Sequence, residues 1–185
     1  MENSIKIGVS SCLLGEPVRY DGGHKHDHYL TAILGQYFSL LPVCPEVGCG
    51  LPIPRAAMRL EGDPNAPGLL THQSRIDLTA RMLAFCSAKV QELEEEDLCG
   101  FIFKKNSPSC GLSRVKVYNN GMAAKSGRGL FAAAVAQHFP LLPMEEEGRL
   151  KDPSRREDFI ERVCSYRRWK DLRGEPGACR KFIRK

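Results

Sequence analysis

No stretch of this sequence is apolar for long enough to cross a bilayer, which takes about 20 consecutive hydrophobic residues, so a membrane-spanning helix is excluded. A basic n-region followed by a long apolar h-region is also missing. Met1-Glu2-Asn3-Ser4 leads almost at once into the strand-like Ile5-Lys6-Ile7-Gly8-Val9, which argues against secretion and for a cytoplasmic protein. No two cysteines stand at CxxC spacing, which counts against a zinc ribbon. Eight cysteines without a leader point to a reducing compartment, where thiols bind metals, catalyse or fill core space. A disulfide framework explains them less well.

The 185 residues are 42% hydrophobic and 26% charged, enough for one globular domain with a substantial core and a terminal appendage. The formal net charge is +5, with much of the excess between Arg155 and Lys185. Such an excess permits an anionic small molecule or RNA as partner without demanding one, and a solvated basic helix face is the simpler reading.

Apolar periodicity divides the chain into alternating elements. Residues 5–11 read as a strand, 13–25 as a loop broken by Gly15, Pro17, Gly22 and Gly23, 28–38 as a helix and 39–44 as a second strand. Residues 45–67 have little periodicity and read as a long functional loop. Ile76, Thr79, Met82, Leu83, Cys86, Val90 and Leu93 recur on one face of a helix over 73–93. A strand at 99–104, a hairpin around Asn119-Asn120-Gly121, a helix at 129–139 and a strand at 141–144 follow. Gln36–Val43 and Gln137–Met144 echo one another as two αβ units. Alternation of this kind predicts a Rossmann-like α/β sandwich of three layers, with a mostly parallel sheet flanked by helices. Residues 1–150 form that domain, and 151–185 form a basic helical extension, capped at Asp152 or Ser154, with Pro153 in its first turn.

Sequence context separates the cysteines. Cys86 lies on the apolar stripe of a helix, Cys164 beside apolar helical neighbours and Cys99 at a strand opening, so these three read as core residues. Cys179, in a basic Gly/Pro-flanked tail, reads as unligated. Cys12, Cys44 and Cys110 each follow a strand-like run. If those runs are neighbouring parallel strands, three thiolates converge at the carboxyl edge of a sheet, where open α/β folds bind ligands. Three thiolates can hold a soft metal or an iron–sulfur cluster and leave one coordination position open, as reactive sites require. Cys49, five positions after Cys44, could instead complete a closed four-thiolate site.

Ser11-Cys12-Leu13-Leu14-Gly15, Val18-Arg19-Tyr20-Asp21-Gly22-Gly23, Val43-Cys44-Pro45-Glu46, Gly50-Leu51-Pro52-Ile53-Pro54-Arg55 and Ser107-Pro108-Ser109-Cys110-Gly111 together resemble the DUF523 family. The resemblance runs in order from about residue 5 to 145, and the characterised branch of the family is a thiouracil desulfidase. It implies a [4Fe-4S] cluster held by cysteines matching Cys12, Cys44 and Cys110, with a fourth iron free to bind the substrate sulfur. It also implies a catalytic glutamate matching Glu46 and a serine of the SPSC motif, Ser107 in preference to Ser109. The implied substrate is a thiolated pyrimidine base or nucleotide, hydrolysed to uracil or its nucleotide and sulfide. Thiolates suit iron–sulfur clusters, a thiocarbonyl sulfur is a soft ligand, and a nearby carboxylate can serve as base for the attacking water.

Arg19, Asp21, Arg55 and Lys105 are candidate substrate contacts, with loop anchoring as the alternative. Lys104, Lys105, Lys125 and Arg128 could meet a nucleotide phosphate, aided by a helix N-terminus near Gly127 and Gly129. His24, His26 and His28 alternate in a polar stretch and read as solvated rather than metal-binding. Two rival functions stand beside the desulfidase. One is a non-enzymatic module closing Cys12, Cys44, Cys49 and Cys110 around zinc or a cluster. The other is an enzyme of tRNA thiolation that uses the basic C-terminal helix, a stretch resembling the junction into a second domain in longer family members.

Overall fold

A computed structural model describes residues 5–174; Cys179 and the basic residues from Arg180 onward lie outside them. Two four-stranded sheets organise the described residues. The first is all parallel, in the order β2 (Ser39–Val43), β1 (Lys6–Ser10), β5 (Leu98–Phe103), β8 (Met144–Glu146). The expected parallel sheet between helix layers is therefore present, with the two copies of the internal echo feeding its opposite edges.

Side chains of β5, whose register against β1 shifts between Lys6 and Ile7, build a core on each face. Leu98, Phe101 and Phe103 face α3 (Thr79–Glu95) and α4 (Leu130–His138), packing with Met82, Cys86, Val90, Phe131 and Val135. Cys99 and Ile102 face the other way, toward α1 (His28–Ala32) and α5 (Pro153–Gly174), packing with Leu30, Phe159 and Val163. Cys86 and Cys99 thus fill core space, at 1% and 0% exposure. Phe131 meets both Phe101 and Phe103 edge-on, with ring centroids 5.8 and 6.2 Å away, a favoured aromatic geometry.

The second sheet, ordered β4 (Gly68–Thr71), β3 (Met58–Glu61), β6 (Val115–Asn119), β7 (Met122–Gly127), departs most from the sequence reading. Its Leu60, Leu69, Val115 and Val117 join the α3/α4 side of the core. The hairpin was expected: Asn120 and Gly121 have φ of 48° and 80°, the left-handed pair that a tight two-residue turn needs. Strands β3 and β4 were not expected. Residues 45–67, read as irregular, hold the short helix α2 (Pro45–Gly48) and strand β3. Met58-Arg59-Leu60-Glu61 does alternate apolar and polar, but over only four residues, the shortest run that can signal a strand.

Helix boundaries also shift. The 28–38 helix is a single α turn capped by the Asp27 carboxylate, followed by a 3-10 turn at Leu34–Gln36. The helix read from 73 starts at Thr79, because Thr71–Asp77 is a turn closed by Thr71 Oγ1 accepting from the Ile76 amide. The last strand begins at Met144 rather than 141. At the start of α5, Asp152 accepts from the Ser154 amide at 3.0 Å, so aspartate is the cap. Among the described residues no helix is long and apolar enough to cross a membrane.

Helix α5 docks on the sheet through buried Phe159 and Val163, and its cations are largely engaged. Arg167 and Lys170 pair with Asp97, Arg162 with Asp158 and Glu145, and Arg156 lies 4.0 Å over the Tyr29 ring.

Candidate active site

Strands β2, β1 and β5 are adjacent and parallel, so their carboxyl ends share one edge. Past Ser10 the chain turns through a 3-10 helix at Ser11–Leu14 that carries Cys12. Beyond Val43, Cys44 stands at the N-cap position of α2, with Pro45 at the first helical position and Glu46 in the first turn. After β5, Lys104 donates its backbone N–H to Ser10 Oγ at 3.0 Å, tying two strand ends together before the turn to Cys110. Cys12, Cys44 and Cys110 line one cavity of about 430 Å3 beyond that edge.

Hydrogen bonding fixes the Ser107–Cys110 turn. Ser107 Oγ accepts from the amides of Ser109 and Cys110 at 3.2 and 3.0 Å, a local serine turn. The carbonyls of Pro108, Ser109 and Gly111 accept from the first amides of α4 and from Gly129. A Cβ on Gly129 would lie 2.5 Å from the Ser109 carbonyl, so only glycine permits this approach. The donors expected to meet a phosphate near Gly127 and Gly129 are therefore already taken by the protein.

Burial disfavours the charged form of each cysteine. It pushes the Cys12 thiol up to about 11, with Lys104 and Arg19 opposing and the nearby Cys44 reinforcing the rise. Cys44 is raised by burial, partly offset by the Val47 amide. Cys110 is raised furthest, by burial against a hydrogen bond from Ser10, with Glu46, Cys44 and Cys12 adding to the rise. Three thiols on the wall of one cavity, each disfavoured as thiolate by burial, need cationic charge among them before they ionise together.

Among the described residues no three Cys, His, Asp or Glu side chains converge at the spacing of one metal ion, where each sulfur lies about 2.3 Å from a zinc. The cysteines ring a space instead, which suits a group with an inorganic core of its own, such as an iron–sulfur cluster. Cys49 is not brought to that cavity. Its Sγ donates to the Glu46 carbonyl at 3.2 Å, and its side chain packs on the α3 side of the core.

Glu46 lines the cavity and is held from two sides. Arg55 Nε and Nη2 both donate to Oε2, the former at 3.0 Å, and Ser109 Oγ donates to Oε1 at 3.0 Å. Ser107 also lines the cavity, whereas Ser109 is fully buried and does not. Arg19, Lys25, Lys104 and Lys105 add positive charge to the wall, and Tyr20 adds an aromatic ring. Asp21 is off the wall: it closes a turn by accepting from the Gly23 amide at 3.1 Å and pairs with Arg19 at 3.4 Å. Lys125 lines a neighbouring cavity, and Arg128 donates to the Leu112 carbonyl at 2.8 Å. His26 bonds Thr31, and none of His24, His26 and His28 lines the cysteine cavity.

Sequence reasoning missed Glu147, 7% exposed, which accepts from Lys104 Nζ at 2.6 Å and from the Lys105 amide at 2.7 Å. The available signal was the Glu145-Glu146-Glu147 run following an apolar strand, an unusual place for three carboxylates.

A family model described as 2-thiouracil desulfurase matches residues 7–147. The uncharacterized protein YbbK of Bacillus subtilis (strain 168) is 28% identical over 138 residues, spanning 71% of this chain and 89% of YbbK. A solved structure of the [4Fe-4S]-dependent thiouracil desulfidase TudS (DUF523Vcz) is similar at a TM-score of 0.64 and 32% identity, covering 80% of this chain and 93% of TudS. The matched span begins in β1 and ends just past β8, so it contains the whole cysteine cavity.

Proposed function

The chain belongs to the 2-thiouracil desulfurase family, and on that premise we propose that it is a [4Fe-4S]-dependent desulfidase acting on thiouracil or a thiouridine nucleotide. One observation carries the reading: Cys12, Cys44 and Cys110, at the ends of adjacent parallel strands, surround a cavity whose wall presents the carboxylate of Glu46. Those cysteines would hold the cluster, with residues 1–150 as the cluster-binding unit and the helix beyond as an appendage. When bound, the cluster supplies an iron without a protein ligand, a soft Lewis acid that polarises a carbon–sulfur bond.

The protein's own groups account for the rest. Glu46 takes a proton from the attacking water. Ser107, whose oxygen already accepts two amides, keeps its hydroxyl hydrogen to donate into the cavity. Lys105 and Arg19 attract the anionic part of a nucleotide, and Tyr20 offers an apolar face to a pyrimidine. In the net reaction a carbon–sulfur bond breaks and a carbon–oxygen bond forms. The two protons of water end on sulfide, and no electrons are exchanged.

Anaerobically reconstituted protein, incubated with thiouracil and separately with its nucleotide, should release sulfide and uracil, or uracil nucleotide, in equal amounts without a reductant. Protein carrying about four irons per chain that releases no sulfide, or that needs added reductant, would overturn the proposal.

A further inference from the structure

The carboxylate of Glu46 has about four lone-pair positions, and three are occupied by protein donors: two from Arg55 on Oε2 and one from Ser109 on Oε1. The remaining position on Oε1 is the one open to a water in the cavity. Arg55 borders the cavity, but four of its five guanidinium N–H groups are taken by the protein. Besides Glu46 its guanidinium donates to the Val18 and Pro52 carbonyls at 2.9 and 3.3 Å, and its side chain is 5% exposed. Its backbone amide donates to the Tyr20 carbonyl at 2.8 Å, so the same residue fastens the Arg19–Tyr20 loop beside the carboxylate. Ser109, at 0% exposure, has no surface on the cavity, and its only hydroxyl proton points at Glu46.

Resting on the desulfidase reading, we propose that Arg55 and Ser109 are positioning residues for Glu46, and that Arg55 is not a substrate contact. A glutamate has three rotatable side-chain bonds, and two independent anchors on its two oxygens hold it in one arrangement. Loss of either anchor lets the carboxylate swing, and a displacement of about 1 Å costs up to about a hundredfold in rate. A substrate contact would instead raise KM.

The test is a double-mutant cycle with Ser109→Ala and Glu46→Gln in reconstituted full-length protein. It is read by steady-state sulfide release, by uracil affinity in calorimetry, and by iron and sulfide content. Ser109→Ala should lower kcat about tenfold with KM and uracil affinity within about twofold of wild type, and with full cluster content. In the Glu46→Gln background it should cause no further loss, because its effect passes through the carboxylate. Arg55→Lys, the second variant, keeps the charge but loses the two-nitrogen grip. It should lower kcat with uracil affinity unchanged. An unchanged kcat in Ser109→Ala, an equal loss in the Glu46→Gln background, or weakened uracil affinity in Arg55→Lys would overturn the proposal. Wild-type protein that releases no sulfide would overturn the desulfidase reading itself, a result distinct from active wild type with an indifferent Ser109→Ala.

Discussion

Replacing Glu46 by glutamine should cut turnover by about 10²- to 10⁴-fold, leaving a measurable residue, and leave the fold standing, whereas alanine should damage both. The difference follows from what surrounds the carboxylate. Arg55 is 5% exposed and Glu46 15%, so deleting the carboxylate strands a guanidinium that has little access to water. Breaking a buried pair by removing one partner costs about 3–5 kcal/mol. For a chain of this size each kcal/mol lowers the melting temperature by about 2–4 °C. Alanine should therefore cost roughly 6–20 °C, toward the low end because cavity water can reach part of the guanidinium. Glutamine keeps an oxygen for Arg55 and an amide group for Ser109, so its loss is a charge-assisted increment of about 1 kcal/mol, or about 2–4 °C. Its effect on rate is larger, since a general base contributes about 10²- to 10⁴-fold. Anaerobic sulfide release and thermal melting on the same samples check both halves. Glu46→Gln protein with full iron content and more than about a tenth of wild-type kcat would refute the base assignment, given that range.

Two further perturbations probe the cavity wall and the C-terminal helix. Lys105 is exposed on the wall with its stem against Gly148, so Lys105→Ala should raise KM for the thiolated nucleotide about three- to tenfold and leave KM for the free base nearly unchanged; equal effects on both would contradict a phosphate role. For Asp97, burial alone would raise the carboxyl pKa, but Lys170 and Arg167 outweigh it and hold it below the usual value of 3.8. The paired carboxylate therefore stabilises the docked α5 at pH above about 4, and that contribution is lost as pH falls through the depressed value. Asp97→Asn should lower the melting temperature by about 1–3 °C at neutral pH, and the difference from wild type should close in strong acid. A gap that widens in acid would contradict this linkage.

The strand-end placement of Cys12, Cys44 and Cys110 was legible because each follows an apolar run whose length and composition suit a buried parallel strand. The layer order followed from alternation of those runs with helical periodicity. Strands β3 and β4 were not legible, because each has only four residues and β3 finds its other partner, β6, far along the chain. The division of labour between Ser107 and Ser109 was invisible for a similar reason. Both sit in one four-residue motif, and only the approach of Glu46, 63 positions away, distinguishes them. Arg55 read as a possible substrate contact because a cation near a motif carries no sign of what it faces. Its partners Val18, Pro52 and Glu46 are set by the fold. Cys49 could be placed only once α2 turned its side chain away from Cys44.

The central claim is that Cys12, Cys44 and Cys110 alone hold the cluster and leave one iron open. Iron and acid-labile sulfide analysis of anaerobically purified wild type and of Cys12→Ser, Cys44→Ser, Cys49→Ser and Cys110→Ser variants tests it directly. The account predicts about four irons and four sulfides per chain in wild type and Cys49→Ser, and loss of the cluster in the other three. Full retention in any of those three, or loss in Cys49→Ser, would contradict it.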